Sequence, residues 1–145
     1  MVHYSNKNFV PGQNIGFMLV KARNIVSCEA DAALKELGVT GQQMGVLLTL
    51  RRGEAITSAA LSKLFCIDTG SVSRMLDRLE SKGLVCRIRS TEDRRVIVLH
   101  LTTKGERIAD RGTEFIVPLL NSRLSRFSEK EFSEFSRFLQ MFLSD

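Results

Sequence analysis

The sequence is poor in the residues that build metal centres, hydrolytic sites and disulfide frameworks. Its 145 residues include two histidines, three cysteines and no tryptophan. His3 and His100 stand in no metal-ligand spacing and in no catalytic triad pattern, so we expect no metal ion, no other cofactor and no enzyme. Cys28, Cys66 and Cys86 form no CxxC pair, and an odd number argues against a disulfide framework. We expect three free thiols, with Cys66 and Cys86 as small buried residues.

Long apolar runs are also missing. No stretch approaches the ~18 residues of a membrane span, and the first dozen residues lack the basic and apolar regions of a signal peptide. We therefore expect a cytoplasmic protein with no membrane partner. A content of 43% hydrophobic and 26% charged residues is typical of a globular protein. The length suits one domain over residues 1–145 that folds around its own core.

Positive charge is concentrated in the middle of the chain. The 21 basic and 16 acidic residues leave a net charge of +5. Residues 41–111 carry thirteen basic and eight acidic residues, whereas residues 1–40 carry four and three, and residues 112–145 carry four and five. A basic module between near-neutral ends is typical of a segment that binds phosphates of nucleic acid. A solvated basic surface would have the same charge, so charge alone leaves both interpretations open.

Apolar periodicity and capping residues predict two helices in the first third of the chain. The first, over residues 14–37, begins at Asn14 and ends before Gly38. Its apolar residues are too numerous for one side of a small core, which indicates packing against a second subunit. Thr40 and the glutamine three residues later form a capping box for a second helix, which ends before Gly53.

The middle of the chain has the pattern of a helix-turn-helix followed by a hairpin. Thr57 and Asp68 cap two short helices that are joined by a tight turn. Residues 85–89 alternate apolar and basic side chains, and residues 96–101 are mostly β-branched or apolar. A polar stretch separates them, so the two runs predict a β-hairpin.

Two further helices are predicted at the end of the chain. One runs from 102 to about 126 and is interrupted and kinked at Pro118. The other is capped by Ser128 and carries an aromatic stripe, since six of the nine phenylalanines lie between residues 115 and 142. Such a stripe favours docking on a second subunit, with an intramolecular core as the alternative. The expected fold is mainly α with a small β-hairpin (α+β).

The second helix of the helix-turn-helix has an outward face suited to DNA. Its apolar residues fix one side inward, which leaves small, polar and basic side chains outside. These candidate DNA contacts are Thr69, Gly70, Ser71, Ser73, Arg74 and Arg78. Asp77 lies on the same face and would repel phosphates, so we expect it to pair with an arginine of the hairpin. Arg87 and Arg89, two apart on the first strand, are further candidate DNA contacts.

At this point the sequence resembles the MarR family of winged helix-turn-helix regulators. DTGSVSRMLDRLESKGLVCRIRSTEDRRVIVLHLTTKGE is similar to the family's recognition helix and wing. The residues in the family's order and spacing are Leu79, Gly83, Leu84, Asp93, Arg94, Arg95, Leu99, Leu101, Thr102 and Gly105. The likeness covers about residues 14–143.

The resemblance implies a homodimeric regulator, a repressor, that binds a pseudo-palindromic double-stranded DNA operator. It implies a winged DNA-binding region over 40–101 and dimerisation helices over 14–37 and 102–143. Arg94 would then enter the minor groove from the wing tip, while Asp93 and Arg95 brace the wing. Ser58, near the start of the first helix of the motif, is placed to contact a phosphate.

Regulation by a small aromatic or phenolic ligand is also implied by the resemblance. Candidate lining residues are Phe17, Lys21, Arg23 and Met44. Two alternatives stay open. Cys28 would sense oxidants in a thiol-based regulator, and a winged helix that binds a protein instead of DNA would have the same fold.

Overall fold

The computed structural model describes residues 1–54 and 56–144, which form six α-helices and one two-stranded sheet. In chain order the elements are α1 (Ile15–Ala33), a 3-10 helix (Lys35–Leu37), α2 (Gly41–Arg52), α3 (Ser58–Phe65), α4 (Thr69–Ser81), β1 (Val85–Arg89), β2 (Ile97–Leu101), α5 (Thr103–Leu124) and α6 (Glu129–Leu143). The strands are antiparallel, with Val85 opposite Leu101 and Arg89 opposite Ile97. The predicted mainly helical fold with one hairpin is confirmed.

The helix starts are set by side chains that the sequence identifies. Each of the six α-helices is preceded by a residue whose side-chain oxygen accepts a hydrogen bond from the backbone N–H three residues later. These residues are Asn14, Thr40, Thr57, Asp68, Thr102 and Ser128. Thr40 and Ser128 also complete capping boxes with Gln43 and Glu131. The predicted helix starts are therefore confirmed.

Two predicted helix details are wrong. The first α-helix ends at Ala33 and not at 37, because the chain tightens into the 3-10 helix before Gly38 turns it in the left-handed conformation at φ 69°. Pro118 does not interrupt α5, which continues to Leu124. The exposed ring of Pro118 is accommodated within this helix of 22 residues despite the missing N–H and the crowding of the preceding turn, and the predicted kink stays a prediction.

The core lies between α2, the helix-turn-helix, the strands and α5. On α4 the buried side chains are Val72, Met75, Leu76 and Leu79, as the helical spacing predicts. They join a continuous apolar cluster with residues of α2, α3, β2 and α5, which includes Leu47, Leu61, Leu99 and Ala109. Burial of this one face leaves the opposite face of α4 directed away from the core.

The helices at both ends of the chain carry apolar side chains that are exposed in the structure. Among the residues described, none on α6 is buried, and Phe138 and Phe142 are 55% and 63% exposed. Phe17 and Met18 on α1 are about half exposed as well. Within residues 1–54 and 56–144, no helix combines the length and apolar character that crossing a membrane requires.

Candidate nucleic-acid interface

The turn between α3 and α4 is held in a defined geometry. Cys66 caps the C-terminus of α3 in the left-handed conformation at φ 51°, and the Ser62 hydroxyl donates to the Ile67 carbonyl oxygen at 2.6 Å. Cys66 is exposed and Cys86 is only partly buried, so the prediction that both are small buried residues is wrong. A C-cap residue in this conformation leaves the apolar face of its helix. In the described chain all three cysteines are free thiols, as expected.

The outward face of α4 presents the side chains that the sequence predicts. Thr69, Ser73, Arg74 and Arg78 are exposed, and Gly70 and Ser71 are partly exposed. Helical spacing brings these residues onto one exposed surface beside the wing, which is the hairpin of β1 and β2 over residues 85–101.

Hydrogen bonds organise the start of this helix. The Ser71 hydroxyl donates to the Asp68 carboxylate at 2.6 Å and accepts from the Arg74 guanidinium at 3.0 Å. The hydrogen bonds from the Ser71 side chain and backbone lower the pKa of Asp68. Arg74 is thereby held toward the N-terminal turn of α4, the part of a recognition helix that enters the major groove.

Arg87 on β1 is paired with two carboxylates of α4. Its guanidinium lies 2.7 Å from an Asp77 oxygen and 2.6 Å from a Glu80 oxygen. The predicted pairing of Asp77 with a wing arginine is confirmed. Both terminal nitrogens of the Arg87 guanidinium are bound by carboxylates, and direct DNA contact by Arg87 stays a prediction. Arg89, two residues along β1, is exposed.

Two neighbouring arginines at the tip of the wing differ in their contacts. The Asp93 carboxylate accepts from the Arg95 backbone N–H at 3.0 Å and from its guanidinium at 3.2 Å, which lowers the pKa of Asp93. Arg94 is exposed and makes no ion pair within the part of the chain that the structure describes. Ser58, the first residue of α3, is partly buried.

A cleft of about 690 Å³ lies behind the recognition helix. Residues of α1, α2, α4 and α5 line it, including Arg23, Gln43, Arg74, Arg78 and Ile116. It therefore lies between one side of α4 and the long helices at both ends of the chain.

Two of the four predicted ligand-lining residues reach this cleft. Arg23 and Met44 line it, whereas Phe17 and Lys21 do not. Since successive residues of a helix turn by about 100°, Lys21 lies about 200° from Arg23 and faces another side. The sequence missed Arg74 and Arg78 as lining residues, since nothing local indicates that an exposed arginine of α4 also borders a cleft shared with α1.

Cys28 is exposed on α1. The single tyrosine, Tyr4, accepts a hydrogen bond from the backbone N–H of Ile15 at 3.0 Å, at the start of the same helix. Oxidant sensing through Cys28 stays a prediction.

Comparison with known proteins adds sequence and fold evidence. The MarR family profile matches residues 39–97. The multiple antibiotic resistance protein MarR of Escherichia coli is 34% identical over 93 residues, which cover 64% of this chain and 65% of that protein. The matched stretch of the corresponding Salmonella typhimurium protein spans only 54% of its length. An HTH-type transcriptional repressor of Mycobacterium tuberculosis is 29% identical over 132 residues, covering 90% of this chain and 94% of that protein.

The same likeness holds in three dimensions. The crystal structure of a mutant E. coli MarR complexed with operator DNA superposes with a TM-score of 0.81 at 27% identity and covers 90% of this chain and 94% of that one. The profile match covers α2, the helix-turn-helix and the hairpin as far as the start of β2, while the structural match extends over the flanking helices. Residues 39–97 of the chain therefore match the MarR family profile, and most of the chain shares the fold of a MarR structure.

Proposed function

We propose that this protein is a transcriptional repressor that binds a pseudo-palindromic DNA operator as a homodimer. The observation that supports this most strongly is the joint exposure of the polar and basic face of α4 and of Arg94 at the wing tip. A recognition helix with small and basic side chains enters the major groove, and a wing arginine suits the adjacent minor groove.

The proposed contacts divide into two groups. Thr69, Gly70, Ser73, Arg74 and Arg78 face the major groove and its phosphates. Arg94 enters the minor groove, and Arg89 and Arg95 approach the sugar-phosphate backbone of the DNA. Ser58, at the start of α3, contacts a DNA phosphate. Ser71 and Asp93 serve mainly to hold Arg74 and Arg95, to which they are hydrogen-bonded.

The homodimer is proposed from the uncovered apolar stripes at the two ends of the chain. Dimerisation segments over 14–37 and 102–143 would cover Phe17, Phe138 and Phe142, which are about half exposed or more. The winged region over 40–101 would then project two recognition helices to half-sites about 10 to 10.5 base pairs apart.

Selection from a randomised duplex library tests this proposal. The purified protein should recover fragments that share an imperfect palindrome, and fluorescence anisotropy should show affinity that falls steeply with salt. A scrambled fragment of equal composition is the matched control. Weak binding that does not distinguish the selected fragment from the scrambled one would favour the alternative, a winged helix that binds a protein.

We further propose that the cleft behind α4 binds a small aromatic or phenolic effector that releases DNA. The cleft volume of about 690 Å³ suits such a molecule, and the apolar Ile116 together with the cation Arg23 fits an aromatic acid. Arg74 and Arg78 line the cleft and also belong to the outward face of α4. An anion bound in the cleft would therefore bind the same guanidinium groups that face DNA.

Benzoate, as the simplest aromatic carboxylate, is a suitable probe. It should weaken binding to the selected fragment, and Arg23→Met should reduce that response. Lys21→Met removes the same charge two residues away and outside the cleft, so it should respond like the wild type. Equal responses of the two variants would contradict a role for the cleft.

A further inference from the structure

Two carboxylates stand one helical turn apart at the edge of the proposed DNA-facing surface. Asp77 lies three residues after Arg74 and four after Ser73, so it shares their face of α4, and Glu80 follows one turn later. Like charges at this spacing repel each other, and both would also repel DNA phosphates. Their presence beside a nucleic-acid surface therefore needs a physical reason.

The reason lies in β1. One terminal nitrogen of Arg87 bonds Asp77 at 2.7 Å and the other bonds Glu80 at 2.6 Å, so a single guanidinium bridges both carboxylates. The Arg87 side chain is 25% exposed, and the two acidic partners raise its pKa. Bonds from two nitrogens to two separate anions fix the plane of the guanidinium as well as its position.

The position of Arg87 on β1 lets its ion pairs hold the hairpin. It occupies the middle of β1, opposite Leu99 of β2. Leu99 is buried in the core, and its backbone N–H donates to the Ile56 carbonyl oxygen at 2.8 Å. The middle of the hairpin is therefore held to the core through Leu99 on β2 and to α4 through Arg87 on β1.

We propose that Asp77, Glu80 and Arg87 form an ion-pair clamp that fixes the wing relative to the recognition helix. Arg87 is then a positioning residue and not a phosphate contact, and its two carboxylates assist DNA binding although they are negative. This inference rests on the proposed DNA-binding function. The clamp adds to that function a set of ion pairs that keeps Arg94 at a fixed distance from the outward face of α4.

The clamp predicts that removing the two carboxylates weakens DNA binding, whereas charge repulsion alone predicts tighter binding. Removing two negative charges from a DNA-binding face should tighten binding if the charges act only at a distance. If they hold the wing through Arg87, removing them should weaken binding, because an unfixed wing has to be ordered each time DNA binds. We expect Asp77→Asn/Glu80→Gln to lose roughly fivefold in affinity for the selected fragment, about 1 kcal/mol.

Glu92→Gln is the matched control. Glu92 is an exposed acidic residue of the wing whose side chain makes no ion pair among the described residues. Its substitution should leave the affinity unchanged or raise it. Circular dichroism and urea unfolding establish that each variant is folded, which is expected because the Asp77 and Glu80 side chains are 60% and 42% exposed.

Hydrogen exchange of the free protein supplies a readout that needs no DNA. Backbone amides of β1 and β2 should exchange several-fold faster in Asp77→Asn/Glu80→Gln than in Glu92→Gln or the wild type. Unchanged exchange in the strands, or tighter DNA binding equal to that of Glu92→Gln, would overturn the clamp. If the wild type binds no DNA, the proposed function fails, while the exchange rates still decide whether the clamp holds the wing.

Discussion

The ammonium nitrogen of Lys82 lies 3.1 Å from the side-chain oxygen of Gln43, and so ties the end of α4 to the start of α2. It also donates to the carbonyl oxygen of Gly38 at 2.6 Å. Gln43 is only 5% exposed and uses the same oxygen to complete the capping box with Thr40. One lysine therefore fixes the C-terminal end of the recognition helix against two segments that are about forty residues earlier in the chain.

Lys82→Met is expected to destabilise the protein by about 1.5 kcal/mol, since it removes charge-assisted hydrogen bonds to the Gly38 carbonyl oxygen and to the buried Gln43 side chain. Methionine keeps the apolar stem, so packing changes little. Urea unfolding measures the difference. Lys63→Met, at an exposed lysine of α3, is the control and should lie within about 0.5 kcal/mol of the wild type. Equal stability of the two variants would show that the Lys82 bonds contribute nothing.

Two glycines of α5 should not tolerate alanine. A methyl group at Gly105 would meet the backbone carbonyl oxygen of Leu84, and one at Gly112 would meet the buried side chain of Met44. Overpacking costs typically about 1–3 kcal/mol, which exceeds the roughly 1 kcal/mol that alanine gains in helix propensity. We expect Gly105→Ala to cost more, because backbone moves less readily than a methionine side chain. Thermal unfolding that ranks the two in reverse, or finds either variant stabilised, would contradict this packing.

The N-cap of the recognition helix should make stability depend on pH. The pKa of Asp68 is lowered from its ordinary value of 3.8 by hydrogen bonds from Ser71, so the folded state favours the carboxylate. The stabilisation is complete above the ordinary pKa and is lost as the pH falls through the lowered value. Asp68→Ala should therefore lower the unfolding midpoint at pH 7, and the difference from the wild type should shrink below pH 3.8.

Asp68→Asn separates the cap from its charge. An asparagine oxygen also accepts the Ser71 N–H bond but does not titrate. This variant should retain most of the stability at pH 7 and show a smaller change with pH than the wild type. If the alanine variant differed from the wild type equally at pH 7 and at low pH, the Asp68 charge would have no part in the cap.

Short-range features of this fold could be predicted from the sequence. The caps at Thr57 and Asp68 act on N–H groups three residues away, and the hairpin follows from alternation over a few residues. The pairing of Asp77 with Arg87 was also accessible, because a carboxylate on a DNA-facing helix needs a cation and the next strand supplies one only ten residues later.

Long-range features could not be predicted. Arg23 lines the same cleft as Arg74 and Arg78, which are more than fifty residues away in sequence, and no local pattern predicts that these residues share a cavity. The bond from Lys82 to Gly38 spans 44 residues in the same way. The exposed Cys66 was mistaken for a core residue because its left-handed C-cap conformation depends on how α3 meets α4.

The affinity of Arg94→Ala for the selected palindromic fragment tests most directly whether α4 and the wing bind DNA. Fluorescence anisotropy measures this affinity, with Arg107→Ala as the control variant. Both variants lose one positive charge from an exposed arginine, but Arg107 lies on α5 beyond the base of the hairpin. We predict that Arg94→Ala loses about tenfold or more in affinity, while Arg107→Ala binds nearly as the wild type does. Equal affinity of the two variants would contradict insertion of the wing into DNA and favour a winged helix that binds another kind of partner.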